Sequence, residues 1–260
     1  LLHYFNLMEF ALERAKTARE AIDVMVSLAA EHGYMSTAES FSIADPNEVW
    51  LMEMIGKGPG RKGTIWVAMR LPEGTISAYA NGMRIRELPP ANPDWVRYAP
   101  DVVSFAIEKG YYDPASGKPF DFTAAYDAPT VQSRRYTATR EWSIFRRAAP
   151  SQAASFDPAY HRGEAGGRPY PLWIRPDEKL SVADVMALMR DHYEGTEYDM
   201  TTGLDAGPYG TPNRWRPIAW EVDGQKYSWE RPILTPQTGF SFVSQSRSWL
   251  PDAIGGVYWY

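Results

Sequence analysis

Apolar residues at three- and four-residue steps open the chain. Leu7, Phe10, Ala11, Ala18, Ala21, Ile22, Met25, Leu28 and Ala29 fall on one side, and Glu9, Glu13, Lys16, Arg19, Glu20 and Asp23 mostly fill the other. This pattern predicts one amphipathic helix of about seven turns, closed by Gly33. The period then changes. Residues 41–44, 49–55, 64–69 and 75–80 are short runs separated by Asp45-Pro46-Asn47, by the glycines at 56, 58, 60 and 63, and by Pro72-Glu73-Gly74. They predict consecutive strands. A strand covered on one face alternates apolar with polar residues, and these largely do not. They therefore predict sheets buried on both faces, between a second sheet and a helical layer. The last run ends by delivering Asn81 and Arg84 to one place.

Three prolines keep residues 86–93 irregular. Residues 100–110 predict a short helix with Pro100 at its first turn, Asp101 at its positive end and Gly110 past its close. Residues 111–129 read as a long ordered loop, 134–147 as a helix carrying five arginines, and 148–167 as a weakly patterned surface crossing. Ser181 and Asp184 form a capping-box variant opening a helix that buries Val182, Val185, Met186, Met189 and Tyr193 and ends at Gly195. The Gly- and Pro-rich stretch 198–217 suits a loop lining a cleft. Strands return at 218–222, 226–230, 239–245 and 255–260, and Asp223-Gly224 is a hairpin signal.

Composition narrows the function classes. Hydrophobic residues make up 44% and charged residues 23% of 260 residues, a globular balance. A net charge of −5 and a pI near 5.5 argue against a nucleic-acid surface. No apolar run approaches the roughly 20 residues that span a bilayer, so no membrane partner is expected. With no cysteine, the chain as given has no disulfide, no cysteine-ligated zinc and no thiol nucleophile. Ten Trp and 16 Tyr fit packed sheets better than open aromatic clefts. Leu1 enters a helical pattern almost at once, and residues 254–260 read as a strand cut in mid-run. The chain is therefore expected to be a piece of a longer protein, with oligomeric state (a homo-oligomer included) and localisation left open.

The familiar phosphate-loop, zinc-pair and serine-elbow motifs are missing, and the four histidines are far apart. His192, near a helix end, reads as a cap or packing residue. Neither a metal nor a cofactor is implied. Asn81, where a strand meets the Gly82 turn, suits either an oxyanion donor or an asparagine satisfying its own turn, and the residues alone favour the turn. Arg84 and Arg140 can clamp a carboxylate, as can Arg214 and Arg216 around Trp215, or each can be a surface arginine. Asp199 and Asp205 can receive an ammonium group or make turns.

Six segments carry a resemblance. AESFSIADPNEVWLMEMIGKGPG, ISAYANGMRI, YAPDVVSFA, LSVADVMALMRDHYEGTEYDMT, AGPYGTPNRWRP and QTGFSFVSQSRSWLPDAIGGVYWY, in that order over nearly the whole chain, resemble the C69 dipeptidases, which are N-terminal nucleophile hydrolases. The resemblance implies an α+β fold, a four-layer α-β-β-α sandwich incomplete at both ends. Residues 1–260 would then be a single domain, the central and C-terminal part of a longer chain. It implies hydrolysis of dipeptides with broad side-chain tolerance, by a cysteine at the mature N-terminus whose own α-amino group is the base. That cysteine would lie upstream of Leu1, so this chain alone is expected to be inactive. Asn81 aligns with the oxyanion asparagine and Arg140, more weakly, with the arginine facing the nucleophile. No family motif matches Asp199 or Asp205. Two rivals stand beside this one: an N-acyl amidase of the bile-salt or penicillin type, and a non-catalytic aromatic-rich protein that binds glycans or peptides.

Overall fold

The computed structural model describes residues 1–213 and 219–260, which divide into two compact units. The first comprises Leu1–Glu73, Met83–Ala128 and Ser246–Gly256; the second comprises Gly74–Gly82, Pro129–Gln245 and Val257–Tyr260. Helices and small antiparallel sheets share the chain, so the fold is mixed α+β.

The first unit begins with two helices where the periodicity predicts one. α1 (Tyr4–Arg14) and α2 (Ala18–His32) are separated at Ala15, Lys16 and Thr17. The break has a local cause. The Thr17 hydroxyl accepts from the Glu20 N–H at 3.2 Å, and the Glu20 carboxylate accepts from the Lys16 N–H at 2.7 Å. Asp45 supplies a further cap, its Oδ2 accepting from the Ala18 N–H at 2.9 Å. Its Oδ1 turns the chain between the first two strands by taking the N–H groups of Asn47 and Glu48. One carboxylate thus starts a helix and closes a turn.

The four strands β1 (Ala38–Ala44), β2 (Val49–Gly56), β3 (Thr64–Arg70) and β4 (Val96–Tyr98) form one antiparallel sheet in sequence order. β2 and β3 are buried nearly throughout, as their unbroken apolar runs require, whereas β1 is largely open. Ile22, Met25, Leu28 and Ala29 of α2 are buried, and α2 packs against β1, β2 and β3. β4 was not legible, lying just past the proline-rich loop. α3 (Val102–Glu108) is shorter than expected: Pro100 precedes the helix instead of entering it, and Asp101 pairs with Lys57 at 2.6 Å, making no side-chain cap. The stretch 111–129, expected to be all loop, contains α4 (Phe122–Tyr126), where Asp121 caps the Ala124 N–H and Phe122 is fully buried.

The expected strand at 75–80 belongs to no sheet. Ile76 makes an isolated antiparallel bridge with Ile174, with N–H to O distances of 2.8 and 2.9 Å, and the Ser77 hydroxyl donates to the Leu172 carbonyl. The backbone of Ile76 is satisfied by that distant loop in a single bridge, and no ladder is built on it.

In the second unit α5 (Val131–Ala148) is opened by a reciprocal Thr130–Ser133 cap and buries Ala138 and Phe145 with Ala78, Ala149, Phe156, Tyr170 and Ile174. α6 (Pro158–Arg162) packs on α5. The span 148–167 is therefore no mere surface crossing, since Phe156 and His161 are buried in it. α7 (Val182–Met189) has the expected Ser181–Asp184 cap, with the Ser181 hydroxyl 3.2 Å from the Asp184 N–H. Its expected buried stripe is absent: no residue of α7 is fully buried, Met189 is exposed, and the helix stops at Arg190 before Gly195. Tyr193, assigned to that stripe, is instead a fully buried loop residue.

β5 (Ala219–Val222) and β6 (Gln225–Ser228) form the expected hairpin; position 218 lies outside the described residues. Asp223 (φ 51°) and Gly224 (φ 77°) are both left-handed, as a two-residue primed turn requires. β7 (Val243–Ser246) pairs with β8 (Gly256–Trp259) across α8 (Asp252–Gly255). Among the described residues, no helix is long and apolar enough to cross a membrane, and no three His, Cys, Asp or Glu side chains could jointly hold a metal ion.

His161 gives the second unit a pH dependence. Its Nδ1 lies 2.7 Å from the Tyr170 hydroxyl, which itself donates to the Asp157 carbonyl, so Nδ1 carries the proton. Its Nε2 then accepts from the Tyr198 hydroxyl at 2.9 Å. A second proton would set two donors against each other. Burial, and then Arg162, lower the imidazole pKa to about 4 from 6.5. The unfolded chain binds the proton first, so the stability is whole above pH 6.5 and is lost as pH falls toward 4. The loss amounts to about 3 kcal/mol. Urea unfolding at pH 7 and pH 4.5 measures it, and His161→Gln should flatten that share of the slope.

Candidate active site

Asn81 follows the extended stretch pinned at Ile76 and Ser77, and its side chain is exposed. Two guanidinium groups meet its amide oxygen. Arg140, one face of α5, donates from Nη2 to Asn81 Oδ1 at 2.7 Å, while its Nε returns to the Tyr136 carbonyl at 2.7 Å. Arg231 donates from Nη1 to the same oxygen at 3.3 Å and lies over the Tyr136 ring, 5.4 Å from its centroid. A guanidinium can only donate, so the pair fixes which end of the amide is oxygen and leaves the NH₂ group as the presented end. Burial lowers the Arg140 pKa from its ordinary value; Tyr193 opposes that shift and Arg231 adds to it.

Arg231 is itself anchored. The Tyr193 hydroxyl donates to the Arg231 carbonyl, and the Asp191 carbonyl accepts from the N–H groups of Ile233 and Leu234 at 3.3 and 3.4 Å. Tyr193 holds a left-handed backbone (φ 67°), a costly conformation for a bulky residue that persists only when its surroundings impose it. Here the ring is fully enclosed, and burial pushes the phenol well above its ordinary pKa, so it serves as a neutral donor. Beside it the Asp191 carboxylate, wholly inaccessible, accepts from Ser143 at 2.5 Å and Arg147 at 3.1 Å. Burial raises its pKa against both partners.

A model of peptidase family C69 matches residues 2–260. The chain belongs to peptidase family C69. It is 31% identical over 245 residues to a probable dipeptidase of Salmonella dublin, covering 94% of this chain and 48% of that protein. Over 254 residues it is 24% identical to a probable dipeptidase of Latilactobacillus sakei, covering 98% and 46%. Over 265 residues it is 28% identical to a dipeptidase of Bifidobacterium longum, covering 98% and 44%. The chain spans about half the length of these curated relatives.

Of the residues the sequence singled out in this C69 chain, the structure brings Asn81 and Arg140 into direct contact. Arg84 lies in the first unit, where its backbone N–H donates to Glu53 Oε1 at 2.6 Å. The Asp199 carboxylate accepts from Gly195 N–H at 2.9 Å, from Thr201 N–H at 2.9 Å and from the Thr201 hydroxyl at 2.5 Å, which makes it a turn-builder. Burial would raise its pKa, yet these donors hold it below the ordinary aspartate value. Asp205 sits in a short 3₁₀ turn, Leu204–Tyr209. Arg214 and Arg216 lie outside the described residues. His192 packs as expected, its Nδ1 3.3 Å from Glu194. Arg231 and Tyr193 were missed as site residues. Arg231 stands between Glu230 and Pro232 with no spacing signal, and no sequence cue marks Tyr193's backbone.

Proposed function

We propose that this C69 chain is the central and C-terminal part of a cysteine-dependent dipeptidase, with the nucleophile supplied from outside residues 1–260. The observation that carries the reading is the Asn81 amide, whose oxygen is held by Arg140 and Arg231 so that its N–H groups face outward. In this reading the cysteine sulfur attacks the scissile carbonyl and the cysteine's own α-amino group takes the thiol proton. Charge develops on the carbonyl oxygen, where a preorganised amide donor is most effective. The proton passes to the departing amine, a thioester remains, and water releases the second amino acid. The chain has no cysteine, so the thiol must come from elsewhere. A four-layer sandwich in which residues 1–260 belong to one domain is the architecture that goes with this chemistry. Arg84, Asp205, Arg214 and Arg216 stay candidates for the substrate's charged ends in this reading, and Asp199 is the weakest of them, its carboxylate being taken up by its own turn.

The test uses the full-length protein and the 260-residue chain side by side. The full-length protein should release free amino acids from dipeptides of varied side chain, and the chain alone should not. Turnover of bile-salt or penicillin-type amides with dipeptides left intact would overturn the assignment in favour of an acylase.

A further inference from the structure

The two guanidiniums at Asn81 share a neutral acceptor. All the hydrogen bonds that the described residues give their side chains end on uncharged oxygens, the Asn81 amide and the Tyr136 carbonyl. Other arginines nearby behave differently: Arg135 pairs with Glu230 at 2.6 Å and Arg147 with Asp191 at 3.1 Å. Like charges held together without a carboxylate partner disfavour the empty site and favour an anion in it. The arrangement is also fixed in advance, through the Tyr193 hydroxyl on the Arg231 carbonyl and the Arg140 Nε on α5.

We infer that Arg140 and Arg231 form a clamp for the free C-terminal carboxylate of the substrate, which makes the site select dipeptides over longer peptides. The inference rests on the dipeptidase reading and deepens it. A guanidinium offers five N–H groups, and one or two on each arginine are used here, so both keep donors for a carboxylate. In a dipeptide that carboxylate is separated from the scissile carbonyl carbon by only the peptide nitrogen and one α-carbon. Asn81 presents its NH₂ and its arginine-held oxygen from a single amide carbon, so carbonyl donor and carboxylate clamp stand one short step apart. A longer peptide puts a neutral amide where the clamp needs a charge. The substrate's ammonium end is repelled from the same place, which sets its orientation.

The experiment compares alanyl-alanine with its C-terminal amide on the full-length protein, and needs no variant. KM for the amide should be about 10- to 100-fold higher, the worth of a hydrogen-bonded charge. Arg231→Met should raise KM for the dipeptide by a similar factor and leave KM for the amide unchanged, with partial recovery in Arg231→Lys. Equal KM values for dipeptide and amide would overturn the clamp while the dipeptidase reading stood. So would a loss in Arg231→Met confined to kcat and equal on both substrates, which would make Arg231 a positioning residue for Asn81. Hydrolysis of neither compound would remove both proposals.

Discussion

Asn81→Ala in the full-length protein should lower kcat on dipeptides by about 10²–10³-fold, the usual cost of one oxyanion donor. KM should change far less, because in the proposed mechanism the amide meets the carbonyl oxygen chiefly when charge has built on it. The structural alternative, an asparagine that merely finishes its own turn, predicts a different pattern: a loss of stability with turnover kept. Here the side chain is exposed and its oxygen is held by Arg140 and Arg231 rather than by turn N–H groups. The urea midpoint of the variant should therefore stay near that of the parent. Asn81→Asp makes the sharper comparison. It keeps the shape, gives both guanidiniums a carboxylate and removes the NH₂ donor, so it should stabilise the pair and still be as slow as the alanine variant. An unchanged kcat in Asn81→Ala would take the residue out of the mechanism.

The second large effect is one of stability. Glu53 stands in the middle of β2 with no accessible surface, flanked in sequence by Met52 and Met54 along an otherwise apolar strand. Its Oε1 accepts from the N–H groups of Arg84 and Ile85 at 2.6 and 3.1 Å, and its Oε2 lies 3.3 Å from the Ile85 N–H. A side-chain carboxylate here stands in for a missing strand partner. Glu53→Ala strands those buried N–H groups and opens a cavity, and should cost about 3–5 kcal/mol. Glu53→Gln keeps an acceptor and loses the charge, and should cost about half as much. Chemical denaturation of the full-length variants tests the order, and an alanine variant no less stable than the glutamine one would refute it.

What was legible in the chain was whatever its own neighbours decide. The runs at 49–55 and 64–69 became β2 and β3 because unbroken apolar strands have to be covered on both faces. Asp223-Gly224 became a primed turn because few other pairs tolerate two left-handed residues. The break between α1 and α2 is also encoded locally: Thr17-Ala18-Arg19-Glu20 is a capping-box sequence, and the longer hydrophobic period masks it. What failed depended on distant partners. Residues 75–80 carry strand-like residues, but Ile76 and Ser77 bond to Ile174 and Leu172, almost 100 residues on. At the candidate site, Asn81 and Arg140 were named through the C69 resemblance, and they do meet. Arg231 joins them from 150 residues beyond Asn81, a contact that no local pattern encodes.

That separation sets a timetable for folding. The sheet β1–β4 pairs each strand with the next along the chain, so its contacts close short loops and can form early. The Asn81–Arg231 contact closes a loop of 150 residues, and each doubling of loop length adds about 0.6 kcal/mol of entropy cost before the contact returns anything. The arginine pair should therefore be among the last features to assemble, behind a sheet already in place. On refolding, the full-length protein of the proposed dipeptidase would regain its far-ultraviolet signal before it regained turnover, and the interval between the two would time the arrival of Arg231.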